Sequence, residues 1–95
     1  MEPRNLETVR QRAVVRGRVQ GVGYRWTARS EARRLGVVGF VTNRADGAVE
    51  VEAEGSSEAV TEFLQWLRRG PRGAHVDTVE IDELSPAGDR SFTIR

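Results

Sequence analysis

Residues Ala48 to Glu54 read Ala-Val-Glu-Val-Glu-Ala-Glu, a strict period of two. A β-strand is the regular backbone that puts Val49, Val51 and Ala53 on one side and Glu50, Glu52 and Glu54 on the other. A strand with one apolar and one charged face belongs to a sheet that is covered on one side only. The three glutamates read as a solvated face, so the rest of the chain has to supply the neighbouring strands and one covering layer.

Those parts are legible on either side of it. Ala13, Val15, Gly17 and Val19 alternate with Val14, Arg16, Arg18 and Gln20, which predicts a first strand over 13–20. Tyr24, Ala28, Ala32 and Leu35 then recur at helical spacing, with Arg29, Arg33 and Arg34 largely off that face and Gly36 placed to end the helix. A second strand is expected from Val37 to Asn43, joined to the alternating strand by the turn residues Arg44-Ala45-Asp46-Gly47. Ser56 or Ser57 can cap a second helix whose first turn holds Glu58. Val60, Phe63, Leu64 and Leu67 form its buried stripe, Trp66 lies at the stripe's edge, and Gly70-Pro71 stops it. Val76 to Leu84, with Val79 and Ile81 on one face, gives a fourth strand, and Phe92 with Ile94 suggests a short terminal one.

The order β, α, β, β, α, β predicts an α+β domain of the ferredoxin-like kind: a mainly antiparallel four-stranded sheet, with that short fifth strand, and two helices on one face. Right-handed crossovers that leave room for another strand make the first two strands parallel, with the third inserted antiparallel between them. No repeat or interior linker interrupts the 95 residues, so 1–95 reads as a single domain with a loose stretch over about residues 1–8.

Composition narrows the chemistry. The hydrophobic share of 38% and charged share of 31% fit a globular chain. No apolar run approaches the roughly 20 residues of a membrane span, and the opening Met-Glu-Pro-Arg-Asn-Leu-Glu-Thr lacks a signal-like apolar core, so the expectation is a cytoplasmic protein with no membrane partner. There is no cysteine, hence no thiolate nucleophile, and the single histidine, His75, reads as a loop residue without ligand partners, so neither metal nor other cofactor is expected. A net charge of +1 from 15 basic and 14 acidic residues gives no reason to expect nucleic acid. All the basic residues are arginine, which genome composition and thermal adaptation would explain equally.

Chemistry concentrates between the first strand and first helix. Gly17, Gly21 and Gly23 permit backbone shapes whose N–H groups converge on an anion, at a helix start where such groups are unpaired and the dipole is positive. Arg25 adds a permanently charged fork able to hold two phosphate oxygens. The loop is neither a Walker loop nor a dinucleotide fingerprint, and an ordinary glycine-rich turn fits the same residues. Asn43 ends the second strand, which topology opens on the same sheet edge, about 10 Å away across one intervening strand. An asparagine there also suits a turn former. A βαββαβ domain can instead bind RNA through exposed aromatics on its central strands, but Glu50, Glu52 and Glu54 occupy those positions. A non-catalytic module that senses a small anion remains the alternative to an enzyme.

The two segments together resemble the acylphosphatase family over nearly the whole chain. Gly17-Arg18-Val19-Gln20-Gly21-Val22-Gly23-Tyr24-Arg25 is similar to that family's Gly-x-Val-Gln-Gly-Val-x-Phe-Arg, and the run from Gly39 through Phe40, Val41 and Asn43 to Gly47 and Val49 to its Gly-aromatic-Val-x-Asn-x-x-x-Gly-x-Val. The resemblance implies that Arg25 and the loop amides of Gly21, Val22, Gly23 and Tyr24 bind the substrate phosphate, while Asn43 orients the attacking water. Tyr24 replaces the commoner phenylalanine and adds a hydroxyl that needs a partner. Thr42 stands where the family often has a basic or small residue.

Such a site suffices for an acyl phosphate, a mixed anhydride whose carboxylate leaves without protonation, so that positioning and charge stabilisation can do the rest. The expected partner is a small-molecule acyl phosphate, the expected enzyme an acylphosphatase acting as a monomer, and Asp46 and Glu50 are expected to serve the turn and the strand face.

Overall fold

The computed structural model describes residues 7–95. Seven elements follow in order: β1 (Thr8–Arg18), α1 (Tyr24–Leu35), β2 (Val38–Asn43), β3 (Val49–Ser56), α2 (Ser57–Arg69), β4 (His75–Leu84) and β5 (Phe92–Ile94). They form one five-stranded sheet in the order β4-β1-β3-β2-β5 with both helices packed against it. β3 lies antiparallel between β1 and β2, so those two strands are parallel to each other, as expected. β5 is a true strand, parallel to β2, and makes the sheet mixed. Of the loose stretch expected over about 1–8, residues 1–6 lie outside the described residues, and Thr8 already pairs with Ser56. His75 opens β4 instead of lying in a loop; its ring is within 3.1 Å of Asp77.

Local chemistry accounts for the helix ends. Gly36 takes a left-handed conformation, its N–H reaching the Arg33 carbonyl at 3.2 Å while that of Val37 reaches Ala32 at 2.8 Å. Ser56 caps α2, its Oγ accepting from the Ala59 N–H at 3.1 Å. The apolar stripes then bury as their spacing predicts. Ala28 and Ala32 from α1, and Val60, Phe63 and Leu67 from α2, close over Ala13, Val15, Val41, Val49, Val51 and Ala53 of the sheet. Small alanines on α1 let it lie close, and the larger residues of α2 fill the opposite half of the core.

Two glycines fix how the strands meet. At Gly17, where the β1–β4 register shifts, a Cβ would stand 2.1 Å from the His75 carbonyl oxygen. At Gly39 in β2 it would stand 1.9 Å from that of Glu52. No side chain fits either approach, and both glycines have φ near +130°, at 134° and 132°, a conformation that other residues rarely adopt.

The far face of the sheet corrects one expectation. Glu50 and Glu52 are half-exposed there, but Glu54 is buried, at 5% exposure. Arg10 lies opposite it in β1 and donates to Glu54 at 2.8 Å, to Glu52 at 2.9 Å and to Asp89 at 3.2 Å. The N–H groups of Ala87 and Gly88 also donate to the Glu54 carboxylate, at 2.7 and 3.0 Å. The segment between β4 and β5 is thereby strapped across the outer face. Burial works to raise the Glu54 pKa, but these N–H groups and the Arg10 charge outweigh it, holding the carboxyl below its ordinary value.

Candidate active site

β1 delivers the chain into the loop at Val19, whose side chain is buried, and α1 takes it up again at Tyr24. Gly21 and Gly23 are both left-handed, with φ of 76° and 77°, and Gly23, the N-cap of α1, has no side chain to accept from the N–H groups of the first turn. Five successive N–H groups, from Gly21 to Arg25, meet no acceptor among the described residues. Backbone donors left unpaired in a folded loop form a concave, positively polarised surface.

The side chains of the loop divide between the core and a small cleft of about 90 Å³. Gly21, Gly23, Tyr24, Arg25 and Asn43 all line it, so the structure brings together the residues singled out from sequence. Val22 is the exception, since it packs against the hydrophobic core and is not part of the lining. The hydroxyl of Tyr24 points away to the Leu67 carbonyl, at 2.7 Å, and its ring leans on Trp66 with centroids 5.6 Å apart. The extra hydroxyl thus has its partner, and burial pushes its pKa up from the ordinary tyrosine value.

Arg25 is half-buried, and its guanidinium makes no hydrogen bond or ion pair among the described residues. Most arginines on β1, in contrast, are engaged: Arg10 as above, Arg12 with Asp82 and Arg16 with Asp46, both at 3.2 Å. The exposed carboxamide of Asn43, last residue of β2, is equally without a protein partner among the described residues. Two strong hydrogen-bonding groups facing one cleft with their capacity unspent are suited to a polar guest.

Gln20, which the sequence reading left without a role, ties the two halves of the site together. Its Nε2 donates to the carbonyls of Arg44 and Ala48, each at 2.9 Å, and so joins the loop to the turn that follows Asn43. That turn is braced further by Arg44 N–H to Ala48 O at 2.8 Å and by the Asp46 carboxylate, which accepts from the Ala48 N–H at 3.1 Å. Ala48's N–H, and beside it Arg16 and Arg44, keep the Asp46 carboxyl below its ordinary range. Asp46 is therefore a turn residue, as expected. Trp26 was also passed over: it lines the cleft and is 64% exposed. Its place off the 24-28-32-35 stripe was the available signal.

A larger open groove of about 570 Å³ runs between the helices, beside Glu31, Arg34, Glu62 and Trp66. Arg34 there is already paired with Glu31 and Glu62. Among the described residues no helix is long and apolar enough to cross a membrane.

The family described as Acylphosphatase matches residues 11–94. An acylphosphatase of Anaeromyxobacter dehalogenans is 51% identical over 90 residues, covering 94% of this chain and 97% of its own. One of Thermus thermophilus is 49% identical over 82 residues, covering 86% and 93%. The crystal structure of acylphosphatase from Bacillus subtilis superposes with a TM-score of 0.89 at 36% identity, over 92% of this chain and 98% of that one. Sequence and fold agree over the span that builds both halves of the cleft, and the chain belongs to the acylphosphatase family of enzymes.

Proposed function

We propose that the protein hydrolyses small-molecule acyl phosphates by holding the phosphoryl group on Arg25 and the loop amides of Gly21, Val22, Gly23 and Tyr24 while Asn43 orients the attacking water. One observation carries this reading: Arg25 and Asn43, whose side chains have no hydrogen-bond partner among the described residues, line one cleft with Gly21, Gly23 and Tyr24, whose N–H groups are unpaired among those residues.

The arginine fork and convergent N–H groups bind the anionic oxygens and stabilise the charge they carry in the transition state. Asn43 accepts from the water through its carbonyl and fixes the line of attack. The water oxygen bonds to phosphorus, the bond from phosphorus to the acyl oxygen breaks, and the carboxylate leaves with the electron pair. The water's proton passes to a substrate oxygen or to solvent, because a neutral carboxamide is a poor base. The products are a carboxylate and inorganic phosphate.

The leaving carboxylate needs no acid, and among the described residues none of the cleft-lining side chains is a carboxylic acid or histidine. An alkyl phosphate, which must expel a far more basic alkoxide, is accordingly a poor substrate. The test is hydrolysis of an acyl phosphate, with and without chelator, by wild type, Arg25→Ala and Asn43→Ala, with inorganic phosphate as inhibitor. Full activity in either variant removes that residue from the mechanism, and equal cleavage of a phosphate monoester overturns the leaving-group argument.

A further inference from the structure

The cleft of about 90 Å³ lies far below the roughly 300–1,000 Å³ of a pocket that encloses a whole small molecule. It has room for a phosphoryl-sized group, so the remainder of a bound substrate must rest on the rim. The rim carries one apolar surface of any size: the indole of Trp26, the residue after Arg25 in the first turn of α1. Trp26 is the only large hydrophobic side chain exposed among the described residues, at 64%.

The ring is also held. One turn further along α1, the guanidinium carbon of Arg29 lies 4.3 Å from the Trp26 ring centroid, a stacking distance for a cation on an aromatic face. Arg29 is half-exposed and enters no ion pair among the described residues, so the indole is its contact. A large aromatic with one face covered and restrained in this way presents a preset surface that loses little side-chain entropy when a second flat group lies against it.

We propose that Trp26, steadied by Arg29, is the specificity-determining residue for the acyl portion of the substrate, selecting planar apolar acyl groups over small ones. The proposal rests on the phosphoryl group occupying the Arg25–Asn43 cleft. An aromatic acyl phosphate gains contact with the indole that an acetyl group is too short to make, and the gain belongs to the acyl group alone.

The experiment compares kcat/KM for benzoyl phosphate and acetyl phosphate in wild type, Trp26→Ala and Trp26→Phe. Trp26→Ala is expected to lower kcat/KM for benzoyl phosphate about tenfold and that for acetyl phosphate no more than about twofold, with inhibition by inorganic phosphate keeping its wild-type constant within about twofold. Trp26→Phe is expected to keep most of the preference. Equal losses on both substrates, or an unchanged ratio between them, overturn the assignment of Trp26 and leave hydrolysis at the cleft standing. Failure of wild type to hydrolyse either substrate overturns the hydrolytic reading and this inference with it.

Discussion

Gln20 reaches across from the glycine loop and donates, through a single amide nitrogen, to the carbonyl of Arg44, the residue directly after Asn43. Together with the bond to Ala48 it forms a direct polar link between the glycine loop and the turn beyond β2. The variant Gln20→Ala removes both of these hydrogen bonds, while each carbonyl keeps a backbone donor, Gly47 N–H on Arg44 and Arg44 N–H on Ala48, and it is expected to destabilise the fold by about 1 kcal/mol, read by urea unfolding. Turnover of an acyl phosphate should fall about tenfold, because Asn43 loses its brace. Gln20→Glu should be at least as damaging near neutral pH, since a carboxylate offers those carbonyls no proton. Wild-type kinetics in both variants would show that the link does not set the site.

Among the described residues the Arg25 guanidinium makes no hydrogen bond or ion pair that folding would miss. Arg25→Ala is therefore expected to leave stability within about 0.5 kcal/mol of wild type while reducing kcat/KM about 10³-fold and abolishing inhibition by phosphate. Arg25→Lys keeps the charge but not the planar fork, and should recover only a small part of the loss. A large drop in melting temperature for Arg25→Ala would reveal a structural duty instead.

For Asn43→Ala the pattern should split differently. Under the proposed division of roles, turnover is expected to fall about 10²-fold or more while the inhibition constant for inorganic phosphate stays within about threefold. Parallel losses in both quantities would place Asn43 in phosphate binding.

The strapped Glu54 makes acid stability measurable. Its folded pKa lies below the ordinary glutamate value of 4.5, so its contribution is fully present above that value and is lost as pH falls through the lower, folded one. Unfolding free energy should decline below about pH 4.5, with Asp46 adding in the same direction. Glu54→Gln should be less stable by about 2 kcal/mol at pH 7 and should converge on wild type as the solution is acidified. Parallel pH profiles would mean that other carboxylates carry the effect.

Tyr24 supplies the alkaline counterpart. Its folded pKa is raised by burial, so the neutral phenol's contribution is fully present below the ordinary value of 10.0 and is lost as pH climbs towards the folded value. Tyr24→Phe forfeits the bond to Leu67, about 1 kcal/mol at pH 7, and should lose less stability than wild type above pH 10. Its activity should stay within about twofold, since the hydroxyl faces away from the cleft.

What could be read from the chain and what could not divide along sequence distance. The glycine loop, the α1 stripe and the Asn43 turn are local patterns, and each came out where the spacing put it. Even the pairing of the loop with Asn43 followed from crossover handedness and required no side-chain detail. The burial of Glu54 was illegible because its partner Arg10 is 44 positions away and its cover arrives with Ala87 and Gly88. The early part of β1 was missed for a related reason: Thr8, Arg10 and Arg12 look like a solvated stretch until Glu52, Glu54 and Asp82 stand opposite them. Gln20 needed two carbonyls from another turn before its amide had a purpose.

The close approaches at Gly17 and Gly39 act as registration marks for the whole site. The apolar pattern alone discriminates weakly against a slip of β2 by two residues, since β3 repeats Val49, Val51 and Ala53 on its inner face and Gly39 has Val37 and Val41 two positions away on either side. A two-residue shift of β2 would bring a valine to the place where Glu52's carbonyl leaves space only for hydrogen, and would carry Asn43 roughly 7 Å along the strand, out of reach of the Arg25 cleft. A missing Cβ, remote from the cleft, thus decides which of several similarly oily alignments is the one that brings Asn43 to the Arg25 cleft.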